Sequence, residues 1–372
     1  MKNLIFFYPS YERGGVTMIL DNLLKNVHDK NILIHIISSK KFVKDIKKKN
    51  IIFHKVKKKI EFSFLPNRFQ TALNSMITLT LLLKKINGDT VVHSMQSNIA
   101  AIIVCYLKKK KIIIRNSENP IFSAINSENK FIASIVVLLK LIFYNFCDGV
   151  VTNSVGSATS LRFFVYNKNK IKKIYNPYIN KINTKKFKKE NYLINIGRLR
   201  KQKDHETLLK AFKIFSKKNS KFKLIILGHG NLRNKLEKLS NKLQISKVVI
   251  FKGWVDDTLP YLKKAKIFVL SSVYEGLGNV LLDAINYDVP CVSTNCPSGP
   301  SEILLNGQGG YLVEPRSPKK LANKIEYGLN NYKKSLIKNQ FAKKKLSRFL
   351  IRENSIKYYE YLKSFYKNEN IS

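Results

Sequence analysis

The sequence has few of the features of proteins that are stabilised by disulfide bonds or structural metal ions. Only four of its 372 residues are cysteines. Cys105, Cys147, Cys291 and Cys296 form no Cys-x-x-Cys pair and have no histidine nearby to complete a metal-binding spacing. We therefore interpret them as reduced and buried in a cytosolic chain without a structural metal.

Long hydrophobic runs are also absent. No stretch reaches the about 18 uninterrupted apolar residues that indicate a membrane-spanning helix. The longest candidate, residues 131–146, is interrupted by Ser134, Lys140 and Asn145. The apolar start, residues 1–9, is too short for a signal peptide and is typical of a first strand.

Acidic residues are scarce, with 24 Asp and Glu against 68 Lys and Arg, so the formal net charge is +44. Abundant Lys, Ile and Asn indicate that part of this charge is a compositional bias carried on a solvated surface. The rest favours an anionic partner, a cytoplasmic membrane leaflet or a nucleic acid. We favour the membrane, because no nucleic-acid-binding motif accompanies the charge.

The stretch 267–285 carries the most chemical information. An apolar run over 267–272 predicts a buried parallel strand, and 280–285 predicts a short helix. The turn between them contains Gly276 and Gly278, so N–H groups near Leu277 and Asn279 can approach a phosphate at a helix start. Two carboxylates flank the turn, Glu275 and, eight residues on, Asp283. A capped turn with nothing bound is the alternative.

This strand, Glu-Gly loop and helix resemble the Glu-x7-Glu signature of retaining glycosyltransferases with the GT-B fold. The family moves a hexose from a nucleotide sugar to a surface glycan, a lipid or another sugar. The resemblance implies that Glu275 contacts the transferred sugar and that the second acidic residue holds the ribose. Here that residue is Asp283, one methylene shorter than the usual Glu.

The resemblance extends over nearly the whole chain, and the alternation of strands and helices independently predicts doubly wound parallel sheets. The expected fold is α/β, with two Rossmann-like domains facing across a cleft. We predict an acceptor-binding domain over 1–178 and a nucleotide-sugar-binding domain over 190–350. As in the family, a last helix at about 353–372 is expected to pack back on the first domain.

The loop after the strand 192–197 contains Gly-Arg-x4-Lys, with Arg198 and Lys203. An Arg fork and a mobile Lys charge suit a diphosphate, and the spacing resembles the phosphate clamp of the family. Gly228, in a Gly-x-Gly after the next strand, permits close approach of a nucleotide. The strand ending at Trp254 resembles the one that reads the base in the family, although Trp254 is equally suited to packing.

In the first domain, the resemblance places Gly14 and Gly15 opposite the donor phosphates and His93 near the transferred sugar. Arg115 and Glu118, in the exit loop of a strand, are expected where an acceptor enters. Each pattern has a structural alternative: an ordinary turn glycine, a satisfied buried histidine, and a helix start using capping residue types.

A basic, aromatic loop over residues 55–69 is suited to resting on a membrane, or else to packing its aromatics in the core. We expect a cytoplasmic chain, peripheral on the inner face of the cytoplasmic membrane.

Together these patterns predict a glycosyltransferase that moves a hexose or N-acetylhexosamine from a nucleotide sugar, UDP-linked by expectation, to a lipid-linked or surface-glycan acceptor, as in lipopolysaccharide O-antigen or capsule synthesis. The resemblance implies that it acts with retention and without a metal or other cofactor. Glu275, Arg198, Lys203 and His93 are the predicted catalytic residues, and the sequence assigns no oligomeric state. The alternatives are an epimerase of the same fold and, in another class, a basic nucleic-acid-binding protein.

Overall fold

The computed structural model describes residues 2–9, 14–26, 29–39, 50–56, 67–127 and 129–367, which form two compact units. Unit 1 comprises the chain up to Asn153, Ser157–Tyr178 and the residues from Phe349 onward. Unit 2 comprises Ser154–Gly156 and Ile179–Arg348. Residues 57–66 of the basic, aromatic loop lie outside the described residues.

Unit 1 is built on a seven-stranded sheet with the order β3-β2-β1-β4-β5-β6-β7. Its neighbouring strands pair in parallel. The strands are β1 (Lys2–Phe7), β2 (Ile32–Ser38), β3 (Ile51–Lys55), β4 (Asp89–Ser94), β5 (Lys111–Asn116), β6 (Gly149–Thr152) and β7 (Ile171–Lys173).

Helices lie in the connections after β1, β3, β4, β5 and β6, in keeping with the parallel pairing. They are α1 (Gly15–Lys25), α2 (Asn67–Lys85), α3 (Asn98–Leu107), α4 (Pro120–Ile125), α5 (Lys130–Phe143) and α6 (Val155–Leu161). In α1, the apolar residues Ile19, Leu20, Leu23 and Leu24 share one face, and all four are buried. This spacing of three and four residues explains why the segment folds as a helix on the sheet.

Unit 2 has a six-stranded parallel sheet with the order β10-β9-β8-β11-β12-β13. Its strands are β8 (Tyr192–Ile196), β9 (Lys223–Leu227), β10 (Val249–Gly253), β11 (Ile267–Leu270), β12 (Cys291–Thr294) and β13 (Tyr311–Val313). Its helices are α7 (His205–Ser216), α8 (Arg233–Lys242), α9 (Leu259–Lys264), α10 (Val280–Asn286), α11 (Pro300–Ile303), α12 (Pro318–Asn330) and α13 (Tyr332–Lys343).

The last helix, α14 (Ile351–Lys363), belongs to unit 1. Tyr358, Leu362 and Tyr366, on this helix and just beyond it, join one hydrophobic core with residues of β1 and β2 such as Leu4 and Ile34. A second core lies against α2 and α3. Unit 1 therefore has a core on each face of its sheet, and the final segment of the chain completes one of them.

Both sheets reverse their strand order at one point, between β1 and β4 in unit 1 and between β8 and β11 in unit 2. Open α/β sheets bind ligands at the carboxyl ends of the strands beside such a reversal. The predicted α/β class, with two doubly wound parallel sheets, is confirmed.

The four cysteines are free and buried. Within the described ranges, no helix combines the length and the hydrophobicity needed to cross a lipid bilayer.

Candidate active site

Two loops meet at the strand-order reversal of unit 2. Residues 197–204 follow β8 and lead into α7, whereas residues 271–279 follow β11 and lead into α10. Since β8 and β11 are parallel neighbours, their carboxyl ends lie side by side. Arg198 and Lys203 lie on the first loop, and Glu275 lies on the second. The fold thus brings three of the four predicted catalytic residues to one edge of one sheet.

Lys203 and Glu275 form an ion pair. The Lys203 Nζ atom lies 2.5 Å from Glu275 Oε1, and the two side chains are only 15% and 7% exposed. The Ser272 hydroxyl donates a second hydrogen bond to the same oxygen, at 2.6 Å. Neither bond uses Oε2, so the carboxylate keeps capacity to accept hydrogen bonds from a ligand. Because the pair is shielded from water, removing one partner would leave the other as an uncompensated charge.

Hydrogen bonds fasten the two loops to each other around this pair. The Val273 N–H donates to the Gln202 carbonyl oxygen at 2.8 Å, and the Gln202 side-chain amide donates to the Tyr274 carbonyl oxygen at 3.1 Å. The Ser271 hydroxyl donates to the Lys203 carbonyl oxygen at 2.8 Å. The positions of Lys203 and Glu275 are therefore fixed by backbone contacts as well as by their own charges.

Arg198 differs from Lys203 although both lie on the same loop. Its side chain is exposed, whereas the next residue, Leu199, is fully buried. The guanidinium is thus presented to solvent beside a buried ion pair. This combination offers an anion one accessible cation and a second one, Lys203, that is already bound to a carboxylate.

Glycines let the neighbouring loop after β9 lie directly against the loop that carries Arg198. A Cβ atom on Gly228 would lie 2.0 Å from the Gly197 carbonyl oxygen, and one on Gly230 would lie 2.3 Å from the Leu199 carbonyl oxygen. Side chains cannot be accommodated at such distances, so both positions require glycine. The predicted role of Gly228 in nucleotide approach stays a prediction, and the structure adds a packing reason for the residue.

The turn before α11 packs against the Glu-Gly loop. Gly276, Leu277 and Gly278 are buried, and the Glu275 N–H donates to the Pro297 carbonyl oxygen at 3.2 Å. A Cβ atom on Gly299, whose φ is +86°, would lie 2.1 Å from the Leu277 carbonyl oxygen. The Pro/Gly turn therefore fixes the position of the loop that carries Glu275.

The remaining predicted donor residues of unit 2 lie further along the same edge. Asn279 immediately precedes α10, and Asp283 is half-buried within that helix. Trp254 follows β10, is half exposed and donates from its indole N–H to Asp256 at 3.1 Å. The contacts of Trp254 do not assign it to ligand or to packing.

In unit 1, His93 and Arg115 occupy a sealed polar cluster. His93 Nδ1 lies 3.1 Å from the Ile113 carbonyl oxygen and Nε2 lies 2.9 Å from the Tyr358 hydroxyl. A carbonyl can only accept, so Nδ1 carries the proton and the Tyr358 hydroxyl donates to Nε2. Arg115 donates to Tyr358 and, at 2.9 Å, to Asn176 Oδ1.

Burial, followed by the charge of Arg115, lowers the pKa of His93 to about 3. The imidazole is therefore neutral at physiological pH and cannot supply a proton there. His93 is fully buried and Arg115 nearly so, whereas Glu118, after β5, is exposed. Gly14 and Gly15 are exposed at the start of α1. The sugar, acceptor and donor roles of these residues stay predictions.

Comparison with known proteins decides the family. Residues 179–345 match the model of the family described as "Glycosyl transferases group 1". These residues make up nearly all of unit 2. Unit 2 is a group 1 glycosyltransferase domain.

The chain is similar to an uncharacterised glycosyltransferase of Methanocaldococcus jannaschii, with 32% identity over 244 residues. The match covers 60% of this chain and 59% of that relative, which is less than two thirds of its length. It is also similar to the Campylobacter jejuni protein named GalNAc-alpha-(1->4)-GalNAc-alpha-(1->3)-diNAcBac-PP-undecaprenol alpha-1,4-N-acetyl-D-galactosaminyltransferase. That match has 28% identity over 285 residues and covers 75% of this chain and 76% of the relative.

Among solved structures, Anabaena HepE in complex with UDP superimposes with a TM-score of 0.76 at 16% identity. The superposition covers 98% of this chain and 100% of that one. At this identity the likeness shows the fold. The resemblance to GT-B glycosyltransferases is thus confirmed for the fold and, over unit 2, for the family, whereas retention and the Glu-x7-Glu signature stay predictions.

The group 1 domain contains site residues that the sequence did not single out. Ser272 holds Glu275, and behind Lys203 the buried His205 donates from Nε2 to Asn195 Oδ1 at 2.9 Å. Burial, followed by the charge of Lys203, lowers the pKa of His205 to about 3. Ser272 and Asn195 are polar residues at or near the end of apolar strands. That pattern in the sequence could have indicated both as site residues.

The described part of the group 1 domain offers cations and a carboxylate rather than a metal site. No three His, Cys, Asp or Glu side chains are grouped as metal ligands among the described residues. Arg198 and Lys203 can neutralise a diphosphate, and Glu275 can accept from hydroxyl groups. The arrangement is chemically suited to a leaving group with several negative charges.

Proposed function

We propose that the chain is a retaining glycosyltransferase that moves a hexose or an N-acetylhexosamine from a UDP-linked donor to a lipid-linked or surface-glycan acceptor. The observation that carries the proposal is the shielded Lys203–Glu275 pair beside the exposed Arg198 in a group 1 domain. A nucleotide-sugar donor needs both charges at one place, since its diphosphate requires cations and its sugar hydroxyls require an acceptor.

Donor binding would follow from this geometry. Arg198 is accessible and would engage the diphosphate through its planar N–H groups. Lys203 would exchange its bond with Glu275 for a phosphate oxygen, which frees Glu275 Oε1 for a sugar hydroxyl. N–H groups near Leu277 and Gly278 would add donors, and Asp283 would hold the ribose. Stabilisation of the departing diphosphate is then the main catalytic contribution.

We propose UDP as the nucleotide and a lipid-linked glycan as the acceptor. The similar Anabaena protein holds UDP, and the C. jejuni relative is named for transfer to an undecaprenol-linked oligosaccharide. An acceptor of that kind resides in a membrane, so we propose that the chain works as a peripheral protein on the inner face of the cytoplasmic membrane. The net charge of +44 supports attraction to that surface.

Calorimetric titration of UDP and of GDP tests the donor site, with Arg198→Ala as the variant. Arg200→Ala is the matched control, because Arg200 is an equally exposed arginine on the same loop. We expect saturable binding of UDP, weakened about tenfold or more by Arg198→Ala through loss of a charge-assisted contact. Equal weakening by both variants, with binding that vanishes as salt rises, would show attraction to bulk charge and contradict the proposal.

Transfer itself is tested by product analysis with Glu275→Ala. We expect a sugar product only when acceptor is present, with the anomeric configuration of the donor retained, and loss of that product in the variant. Turnover of donor without acceptor would indicate the epimerase alternative, and an inverted product would refute retention.

A further inference from the structure

Helix α5 of unit 1 exposes an apolar stripe. Phe131, Ile135, Leu138 and Ile142 follow the spacing of one helical face, and all four are exposed, with Phe131 at 75% and Leu138 at 57%. The opposite side of the helix carries the buried Ala133. Helices of soluble proteins normally place polar residues on the outer face. An outward apolar face of this kind marks an interaction surface.

The end of α3 extends this surface. Tyr106 and Leu107, its last two residues, are both exposed. The Tyr106 ring packs edge-on against the Phe146 ring just after α5, with centroids 5.0 Å apart, and Phe146 is exposed as well. We call the stripe of α5, Phe146 and the two terminal residues of α3 the α5 face.

Among the described residues, lysines border the α5 face. Lys108, Lys109 and Lys110 follow Leu107 directly, and Lys130 begins α5. The sequences of α3 and α5 contain no Asp or Glu. An apolar surface with a basic border is complementary to the interface of an anionic membrane, where apolar side chains enter the acyl region and lysines contact headgroups.

We propose that the α5 face is a membrane-docking surface that inserts into anionic lipid. The overall charge of +44 favours lipid over a second copy of the chain as the occupant, because two such copies repel each other and an anionic leaflet attracts both.

The α5 face also suits the proposed function, on which this step rests. Helices α4 and α5 follow β5, which carries the predicted acceptor residue Arg115, and the exit loop that carries Glu118. The chain therefore leads directly from the predicted acceptor residues into the helix that carries the exposed stripe.

Vesicle flotation tests the proposal with the full chain. The probes are phosphatidylcholine vesicles and vesicles of equal phosphatidylcholine and phosphatidylglycerol. Phe131→Asn with Leu138→Asn removes apolar contact without changing charge. The matched control is Ile337→Asn with Ile356→Asn, exposed apolar residues of other helices. We expect binding to the anionic vesicles that falls about tenfold or more for each apolar side chain lost at the α5 face, and no change in the control.

A second variant tests the charge. Replacing Lys108, Lys109 and Lys110 by Gln should weaken binding about fivefold per lysine at low salt, with little effect at high salt. The control replaces Lys217, Lys218 and Lys221, which are exposed in unit 2. Equal losses in variant and control would mean that total charge alone binds the vesicles, and would overturn the α5 face as the docking site.

Two measurements separate the remaining outcomes. A wild-type dimer in sedimentation velocity that becomes monomeric in Phe131→Asn with Leu138→Asn would assign the face to a second copy and overturn the proposal. UDP affinity of the same variants should equal that of the wild type, because the changes lie outside the donor site. Vesicle binding without any UDP binding would refute the proposed function and leave the docking surface standing.

Discussion

The carboxyl ends of the two sheets carry polar residues that are used in opposite ways. In unit 1, His93, Arg115 and Tyr358 bond to one another in a buried cluster. In unit 2, Lys203 and Glu275 form a shielded ion pair beside the exposed Arg198. A sealed cluster gains stability from its mutual bonds, whereas an ion pair at the edge of a sheet can exchange its partners for a ligand. Equal topology thus accompanies a sealed cluster in one sheet and, in the other, an ion pair at the site where we propose that the donor binds.

The largest effect is expected when the ammonium group of Lys203 in unit 2 is removed. Lys203→Met should destabilise the chain by about 3–5 kcal/mol, because Glu275 is left as an unpaired charge. Transfer should fall about 10²- to 10³-fold through loss of charge stabilisation. The double variant Lys203→Met with Glu275→Gln should regain most of the stability and none of the transfer. Urea unfolding and a transfer assay measure the two effects.

The control for this pair is Lys201→Met, an exposed lysine of the same loop. It should change both quantities little. Recovery of transfer in the double variant would show that the Lys203–Glu275 pair only holds the two loops together. Its role would then be structural, like that of the cluster in unit 1.

A second test concerns the turn beneath the Glu-Gly loop. Gly299 and Gly307 have similar φ values, +86° and +91°, but a Cβ atom would meet the Leu277 carbonyl oxygen at 2.1 Å in the first case and open space in the second. Gly307→Ala should cost about 1–2 kcal/mol for its left-handed backbone. Gly299→Ala should cost more than about 4 kcal/mol, since the loop must also move.

Thermal unfolding with and without UDP measures this pair of variants. The stabilisation by UDP should persist in Gly307→Ala and shrink in Gly299→Ala, because the turn positions Leu277. Equal losses in both variants would mean that the turn tolerates displacement and does not position the loop.

The smallest effect is expected in unit 1. Tyr358→Phe removes the donor to His93 Nε2 and the acceptor for Arg115, so it should lower the free energy of unfolding by about 1–3 kcal/mol. UDP affinity should be unchanged, since the residues that we propose bind the phosphates lie in unit 2. A variant with weakened UDP binding and unaltered stability would reverse the roles assigned to the two clusters.

Much of this architecture was predictable from local sequence patterns. Apolar runs ending in Gly or polar residues predicted parallel strands and the loops that follow them, which placed Arg198 and Lys203 together. The ion pair was not predictable, because Lys203 and Glu275 are 72 residues apart and their meeting depends on the strand order. The burial of His93 was likewise not predictable, because its hydrogen-bond partner Tyr358 lies 265 positions away in the sequence.

The return of α14 to unit 1 has a consequence for synthesis of the chain on the ribosome. Tyr358, Leu362 and Tyr366 complete a core that β1 and β2 begin, yet the whole of Ile179–Arg348 is translated between them. Unit 2, nearly continuous in sequence, can fold while one face of the unit 1 sheet still awaits its helix. The nascent chain therefore carries that face covered by α1 alone, without α14, through almost half of its translation, which makes it the natural place for a chaperone to hold.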